Sequence, residues 1–287
     1  GSWEMDDQVL VTWVKCRRAL TRSGLPGLDY ALNPYIGCQH GCRYCYAPST
    51  LRIWDRSWGS FVDVKENLLE ALKTDLKEVK PGIVGLGTVT DPYQPVEQKL
   101  RLTRGCLELL SEARLHVSIQ TKSDLVVRDL QLMDPGTVDI GFTITTMDDR
   151  LASLLEPNAP RPGARREGLM KAFEKGFKTW IFYGPIIPMV NDDRKTMIEI
   201  VNLAEKSGGE VLYDRLNLKR GVMDRMRRPL LKLNLYTTEI LRKLNDEGYW
   251  RGVKASLEEL AVEREVAVKP TFKPKPKPIR QTVLESF

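Results

Sequence analysis

The feature that most constrains the fold of this chain is a repeated alternation of short apolar runs with helix-like stretches. Six runs rich in β-branched and aromatic residues are each followed by a stretch with helical periodicity. The predicted strands cover residues 30–36, 83–88, 116–121, 138–145, 179–186 and 210–216. The predicted helices cover residues 64–78, 100–113, 125–133, 165–175, 193–206 and 235–247. Strands that alternate with helices form parallel sheets, so we predict an α/β fold, a partial (β/α)6 barrel of TIM type.

The chain of 287 residues is 42% hydrophobic, which is enough for one large core, so we assign the barrel to a single unit over residues 29–262. Residues 1–28 are then an N-terminal extension. Lysine and proline alternate from Lys269 to Pro278. Proline removes backbone donors and the lysines repel one another, so residues 263–287 are predicted to be an extended, mobile linker that ends in a short apolar peptide.

The net charge of +6 permits a polyanionic partner without requiring one. No run of 18 apolar residues occurs and the N-terminus lacks a signal-peptide pattern, so we expect neither a membrane span nor secretion. The chain has an odd number of cysteines, which suits a disulfide framework poorly. A reducing, cytoplasmic setting is therefore expected.

Three of the five cysteines, Cys38, Cys42 and Cys45, form a Cys-x3-Cys-x2-Cys cluster in the sequence NPYIGCQHGCRYCYAP. Three thiolates at this spacing can hold three corners of a [4Fe–4S] cubane and leave one iron open to a small molecule. A zinc site would need a fourth Cys or His, and His40 inside the loop is poorly placed to supply it. Zinc and inert buried cysteines remain as alternatives.

The cysteine spacing, with an aromatic residue before the third cysteine, resembles the signature of the radical S-adenosylmethionine (SAM) superfamily. The resemblance implies a barrel of the radical SAM type, a [4Fe–4S] cluster and SAM as cofactors, and an electron donor as a partner. It also implies the chemistry, which is reductive cleavage of SAM to a 5′-deoxyadenosyl radical that abstracts a hydrogen atom.

Further motifs resemble the spore photoproduct lyase-like, or DNA repair photolyase-like, branch of that superfamily. They extend over roughly residues 21–220 and include GTVTDPYQP at 87–95, TKS at 121–123, RD at 128–129, EP at 156–157, RR at 165–166, GPIIP at 184–188 and ND at 191–192.

The branch resemblance implies roles for polar residues near the predicted strand ends. Lys122 matches the lysine that meets the SAM carboxylate, and Arg166 is a candidate to complete that anion clamp. Thr90 and Asp91 match polar groups near the SAM amino and carboxylate groups. The alternatives are an ordinary surface charge for Lys122 and a solvated helix position for Arg166.

Thr143 or Thr145 is implied as the residue that contacts the SAM ribose. Tyr44 and Tyr46 flank Cys45 and are candidates for the radical relay that tyrosines assist in spore photoproduct lyase. The alternative for both tyrosines is packing, against the adenine or the cluster for Tyr44 and against the barrel wall for Tyr46.

One departure from the branch concerns the residue that returns a hydrogen atom to the product. The resemblance aligns Thr88 with a hydrogen-donating cysteine, and a threonine O–H is a poor hydrogen-atom donor. Cys106 lies one predicted helix further on and is expected to be core. Direct reversal of the spore photoproduct is therefore doubtful.

The final residues Gln281, Leu284 and Phe287 have the spacing of a peptide that resembles the PCNA-interacting peptides, which bind the sliding clamp. A mobile linker would raise the effective concentration of the barrel near DNA. Clamps of this type belong to archaea and eukaryotes, so an archaeal source would fit. A fraying tail is the alternative. Residues 219–228 contain five basic side chains, which suit phosphates near the barrel mouth or form a solvated face.

These observations lead to one main hypothesis, a radical SAM enzyme that acts on DNA in lesion repair. The first alternative is a radical SAM enzyme that modifies RNA, a peptide or a small metabolite. The second is a non-catalytic iron–sulfur protein associated with the clamp.

Overall fold

The computed structural model describes residues 2–5 and 9–271 of the chain. The strands are β1 (Ser2–Met5), β2 (Val9–Val14), β3 (Leu20–Arg22), β4 (Tyr30–Leu32), β5 (Tyr35–Ile36), β6 (Phe61–Lys65), β7 (Gly82–Leu86), β8 (Leu115–Thr121), β9 (Val138–Thr143), β10 (Lys178–Ile186), β11 (Glu210–Arg215) and β12 (Val268–Pro270). The α-helices are α1 (Ala47–Thr50), α2 (Leu68–Leu76), α3 (Val96–Leu100), α4 (Leu102–Leu110), α5 (Asp149–Leu155), α6 (Pro162–Glu174), α7 (Arg194–Lys206), α8 (Val222–Lys232), α9 (Thr237–Leu244) and α10 (Glu247–Arg264).

The larger sheet has eight strands in the order β12-β11-β10-β9-β8-β7-β4-β3. The six strands from β11 to β4 in that order are mutually parallel, as the alternating pattern predicts. β3 joins one edge antiparallel and β12 joins the other edge parallel. The edge strands β3 and β12 are not paired with each other, so the sheet is an open, partial (β/α)6 barrel. The predicted fold class is confirmed.

The two faces of this sheet differ in chemistry. On the outer face, helix α6 packs so closely on β9 that a Cβ at Gly168 would lie 3.0 Å from the Phe142 ring. Strand β8 alternates in burial along its length. Its outer-face residues are buried and apolar (Leu115, Val117 and Ile119), and the residues on the opposite face, which we call the inner face, are polar and half-buried (His116, Ser118 and Gln120).

A second sheet, of four strands in the order β1-β2-β6-β5, was not predicted from the sequence. Its strand β6 includes residues 64 and 65, which were predicted to be the start of a helix over residues 64–78. The β-branched Val62 and Val64 are buried in β6. The side chain of Asn67 exchanges two hydrogen bonds of 2.8 Å with the backbone of Cys16, and α2 begins directly after it.

Other predicted helices also differ from the structure. The segment predicted as a helix over 125–133 forms a 3₁₀ helix, Asp124–Leu132, capped by the Ser123 hydroxyl. The segment 235–247 contains the shorter α9. Helices α8 and α10 were not predicted; α8 carries an internal Pro229, which breaks the usual helix signal.

The first part of the predicted linker, residues 263–271, includes the end of α10 and the edge strand β12. Pro270 is compatible with this position because an edge strand tolerates a missing donor. Part of the predicted N-terminal extension, residues 9–14 and 20–22, likewise belongs to the two sheets. Within the described residues, no helix is both long and apolar enough to cross a membrane.

Candidate active site

The cluster-type cysteines lie on a loop that follows β5. Cys38 and Cys42 are buried and Cys45 is half-buried. The loop begins at Gly37, which has a φ of +94°. A Cβ at Gly37 would lie 2.5 Å from the carbonyl oxygen of Phe61, so only glycine allows this close approach.

Two glutamines hold the cysteine loop against the loop that follows β7. The backbone N–H of Gln39 donates to Gln94 Oε1 at 3.0 Å, and the N–H of Val96 donates to Gln39 Oε1 at 2.6 Å. The hydroxyl of Thr90 donates to the carbonyl of Gly37 at 2.6 Å, and Gln94 Nε2 donates to Thr90 Oγ1 at 2.9 Å. The loop geometry is therefore fixed by buried polar contacts.

The three thiols suit an iron–sulfur cluster by their chemistry. Burial raises the pKa of the Cys42 thiol to about 12 and also raises the pKa values of Cys38 and Cys45. Negative charge on Asp91, Cys42 and Cys45 raises the pKa of Cys38 further, so bound iron has to stabilise the thiolate forms. Over residues 2–5 and 9–271, no three His, Cys, Asp or Glu side chains are grouped around a single metal position. In a [4Fe–4S] cluster each thiolate binds a different iron, and three thiolates leave one iron open.

Lys122 continues the inner face of β8 beyond its last residue and lies next to the cysteine loop. Its Nζ is 5.6 Å from the centre of the Tyr44 ring. Burial lowers the pKa of Lys122, but negative charge on Cys42 and Glu156 raises it above its ordinary value. Among the described residues, no carboxylate lies within ion-pair distance of this ammonium group. Lys122 is thus a charged, half-buried group available to an anionic ligand.

Asp91 positions the residues around it. Its carboxylate accepts hydrogen bonds from the Thr121 hydroxyl at 2.7 Å, the Tyr93 N–H at 2.9 Å and the Lys122 N–H at 2.9 Å. Nδ1 of His40 lies 3.3 Å from the same carboxylate. Burial alone would raise the pKa of Asp91, but His40 and the Lys122 N–H hold it well below its usual range. The carboxylate is already occupied by protein donors.

A fully buried ion pair lies on the other side of Tyr44. Arg165 Nη2 donates to Glu156 Oε1 at 2.9 Å, and the hydroxyls of Tyr44 and Thr145 both donate to Glu156 Oε2. Burial favours a raised pKa for Glu156, but Arg165 and Lys122 lower it, so the carboxylate is charged. Arg165 also donates to the carbonyl of Thr143 at 3.1 Å.

The structure brings several predicted site residues together near the cysteine loop and leaves Arg166 outside this group. Lys122 and Tyr44 come together with the cysteines, and Thr143 and Thr145 lie at the adjoining strand end. Thr143 accepts from Gln120 on the inner face, while the Thr145 hydroxyl is engaged by Glu156. Arg166 is not part of this group.

The structure places Arg166 on the exposed side of α6, and its side chain has no hydrogen bond or ion pair with the described residues. The neighbouring Arg165 is the arginine that enters the site. Arg165 lies on the same helical stripe as Leu169 and Ala172, which are buried, and this spacing is the sequence signal that favours Arg165 over Arg166.

Tyr46 faces the basic stretch that the sequence analysis singled out. Lys219 Nζ lies 5.6 Å from the Tyr46 ring centre and 3.3 Å from the Thr50 hydroxyl. Arg225, on α8, donates to the carbonyl of Cys45. Sequence reasoning missed this contact because about 180 residues separate its partners.

Comparisons with known proteins agree with this fold. The family model described as the Radical SAM superfamily matches residues 32–204. An uncharacterized protein of Methanocaldococcus jannaschii is 36% identical over 190 residues, covering 66% of this chain and 72% of that protein. An uncharacterized protein of Acidianus two-tailed virus is 33% identical over 249 residues, covering 77% and 82%. An uncharacterized protein of Mycobacterium bovis is 29% identical over 209 residues, covering 68% and 61%.

The chain belongs to the radical SAM superfamily and is a radical SAM enzyme. Membership implies a [4Fe–4S] cluster and SAM as cofactors. Among solved structures, spore photoproduct lyase complexed with dinucleoside spore photoproduct superimposes with a TM-score of 0.71 at 13% identity, covering 91% of this chain and 82% of that one. A mutant of that lyase with bound AdoMet and dinucleoside spore photoproduct gives 0.70 at 14% identity, covering 92% and 82%. At these identities the likeness shows the shared fold.

Proposed function

We propose that the enzyme cleaves SAM reductively and acts on DNA in lesion repair, in the manner of the spore photoproduct lyase-like branch. The observation that carries the proposal is the ammonium group of Lys122, which has no ion-pair partner among the described residues, beside the three cysteines of the loop in a radical SAM fold. In this proposal Cys38, Cys42 and Cys45 hold the [4Fe–4S] cluster. The bound cluster and SAM together supply the 5′-deoxyadenosyl radical.

The residues around the cluster have distinct proposed roles. Lys122 binds the SAM carboxylate, because its ammonium group forms no ion pair with the described residues and lies beside the cysteine loop, 5.6 Å from the centre of the Tyr44 ring. Thr143 or Thr145 contacts the ribose, and Thr143 keeps its hydroxyl proton free because its oxygen accepts from Gln120. Thr90 and Asp91 act on the loop and on Lys122, since their polar atoms bond to protein groups.

Tyr44 and Tyr46 remain the proposed candidates for a radical relay. The phenol of Tyr44 is bonded to Glu156, and burial is the first cause of its raised pKa, so it stays protonated. Tyr46 is less buried and lies under Lys219. Packing beside the adenine explains the position of Tyr44 equally well, and a Tyr44→Phe variant that keeps full turnover would favour packing.

Thr88 bears on which lesion the enzyme accepts. Its hydroxyl oxygen accepts from Asn33 Nδ2 at 2.8 Å, in the place where the branch carries a hydrogen-donating thiol. Cys106 is fully buried in the outer-face core on α4 and cannot replace that thiol. We therefore propose a lesion or modified nucleotide other than the spore photoproduct.

The direct test is anaerobic reconstitution with iron and sulfide, followed by addition of dithionite and SAM and quantification of 5′-deoxyadenosine. We expect 5′-deoxyadenosine whose rate rises with UV-irradiated DNA over unirradiated DNA of the same sequence. If the rate of 5′-deoxyadenosine formation does not change with DNA but rises with RNA, a peptide or a metabolite, that compound and not DNA is the substrate. No 5′-deoxyadenosine from a fully loaded cluster would favour the non-catalytic alternative.

We also infer a tether to a PCNA-type sliding clamp through Gln281, Leu284 and Phe287. These residues lie outside the described residues, so the proposal rests on their spacing in the sequence. The intact chain is expected to bind such a clamp, and the variant Phe287→Ala is expected to lose that binding while retaining SAM cleavage. Equal clamp binding by both would contradict the tether.

The proposal also includes a cellular compartment, a source organism and an electron donor. We place the enzyme in a reducing cytoplasm, because the cluster needs the free thiols that the structure shows. An archaeal source is compatible with the relative from Methanocaldococcus jannaschii, while the relative from Mycobacterium bovis shows that bacteria carry similar proteins. A dedicated electron donor is the remaining proposed partner.

A further inference from the structure

A strip of basic and aromatic side chains leads from the cysteine loop to the protein surface. At its inner end Arg225 contacts the carbonyl of Cys45. Next along the strip, Lys219 lies over the Tyr46 ring. At the outer end the guanidinium carbon of Arg220 lies 4.3 Å from the centre of the Trp54 ring. We call this series the rim strip; its members are Arg225, Lys219, Tyr46, Arg220 and Trp54.

The indole of Trp54 is exposed and available to a ligand. It is 47% exposed, whereas Trp58, on the same segment, is 8% exposed and packs edge-on against Phe61. A tryptophan that served only the fold would be buried as Trp58 is. An exposed indole on a site rim is instead typical of a surface that binds a flat apolar ligand.

Four basic side chains belong to the rim strip or to the segment that runs from the cysteine loop to Trp54. Lys219, Arg220, Arg43 and Arg52 are all exposed. Within the described part of the chain, none of these four side chains forms an ion pair. Cations that have no ion-pair partner and lie near an exposed aromatic ring suit a ligand that alternates anionic groups with flat rings. A nucleic-acid strand alternates phosphates and bases in this way.

We propose that Trp54 and Arg220 form a stacking platform for an unpaired DNA base next to the active site. Lys219 and Arg52 then contact phosphates on either side of that base. Stacking on an indole face accepts every base, and the guanidinium adds a cation–π contact. This inference rests on the proposed action on DNA and adds the surface that guides the strand toward Cys45.

The first experiment measures binding of a fluorescein-labelled oligothymidylate of twelve residues to the reconstituted full chain by fluorescence anisotropy. Trp54→Ala is expected to weaken binding about tenfold, and Trp54→Phe, which keeps a stacking ring, is expected to remain within about threefold of the parent chain. Tyr236→Ala is the matched control, because Tyr236 is 66% exposed and lies outside the rim strip. Iron content reports whether each variant has folded.

The second experiment measures the dependence of binding on salt. Each phosphate contact with a single strand contributes a slope of about −0.7 in a plot of log K against log salt concentration. Lys219→Gln removes one of the two proposed phosphate contacts and is expected to make the slope shallower by up to that amount. Arg114→Gln removes the same charge directly before β8, at the opposite end of the barrel, and is expected to leave the slope unchanged.

Four outcomes would overturn the platform. Equal binding by Trp54→Ala and the parent chain is one, and a loss in Trp54→Ala that Trp54→Phe does not restore is another. Tighter binding of oligouridylate RNA than of the DNA strand would contradict DNA as the ligand. A parent chain that binds no DNA would refute both this platform and the proposed action on DNA. A parent chain that binds DNA through Trp54 but forms no extra 5′-deoxyadenosine would refute only the proposed reaction.

Discussion

Both ends of the inner face of the sheet carry polar or charged side chains, but the two ends differ in whether protein groups pair with these side chains. At the N-terminal end, Asp139 accepts hydrogen bonds from Ser118 at 2.7 Å and Trp180 at 2.6 Å, and His116 Nε2 lies 2.6 Å from it. At the C-terminal end, Lys122, which directly follows β8, has no anionic partner among the described residues. We call these two ends the floor and the mouth of the barrel.

The comparison separates polar groups that stabilise the fold from polar groups that await a ligand. A buried polar group costs free energy unless it is paired, so a satisfied network such as the floor contributes to stability. A charge left unpaired in a half-buried position is tolerated where a ligand completes it. Substitutions in a paired network should therefore change stability, and substitution of the unpaired Lys122 at the mouth should change ligand binding.

The largest effect is expected at the cysteines of the mouth. Cys42→Ala removes one thiolate of the proposed cluster, so iron content and 5′-deoxyadenosine formation should fall to background. Cys106→Ala alters a cysteine of the outer-face core and should retain both. Iron analysis and product chromatography measure the two quantities. Full iron loading of Cys42→Ala would show that the cluster is held elsewhere.

The next largest effect concerns two adjacent arginines on α6. Arg165→Met leaves Glu156 as an uncompensated buried charge and should lower the free energy of unfolding by about 3–5 kcal/mol. Arg166→Met changes an exposed side chain and should stay within about 0.5 kcal/mol of the parent chain. Urea unfolding measures the free energy of unfolding of both variants. Equal losses in the two variants would contradict the assignment of Arg165 as the buried partner of Glu156.

A smaller effect is expected for Lys122, and it should appear in binding. Lys122→Met keeps the length of the side chain but removes the charge that meets the SAM carboxylate. The dissociation constant for SAM should rise about tenfold to 100-fold, which corresponds to about 1.4–2.8 kcal/mol. Lys178→Met, at the first residue of β10 near the floor, is the control with unchanged affinity. If both variants bound SAM equally well, Lys122 would not be the carboxylate ligand.

The smallest effect is expected at the floor. Asp139→Asn weakens the three contacts made by that carboxylate and should reduce the free energy of unfolding by about 1 kcal/mol. SAM affinity should not change, since the floor lies at the far end of β8 from Lys122. A SAM affinity that fell as much as in Lys122→Met would mean that the two ends of the inner face are one site.

The sequence predicted the parts of this molecule that depend on local pattern. Apolar periodicity located all six parallel strands to within a few residues, and the spacing of Cys38, Cys42 and Cys45 identified the family. Patterns of this kind arise from burial on one face and from ligand spacing within a single loop. Both are properties of neighbouring residues, so the sequence contains them.

The rest depends on contacts between distant parts of the chain. The small sheet forms because β2 pairs with β6 about 50 residues away, and the rim strip joins the segment around Trp54 to Arg220. Arg166 is the anion ligand predicted from the sequence, whereas Arg165 is the arginine that is buried. That choice follows from which side of α6 packs on β9, which becomes certain only when the sheet is assembled.

The measurement that tests the account most directly is calorimetric titration of SAM into the reconstituted parent chain, Lys122→Met and Asp139→Asn under anaerobic conditions. The account predicts one SAM site of equal affinity in the parent chain and Asp139→Asn, and an affinity at least about tenfold weaker in Lys122→Met. Unchanged SAM affinity in Lys122→Met, with full iron content, would contradict the claim that the unpaired charge at the mouth is the SAM-binding group.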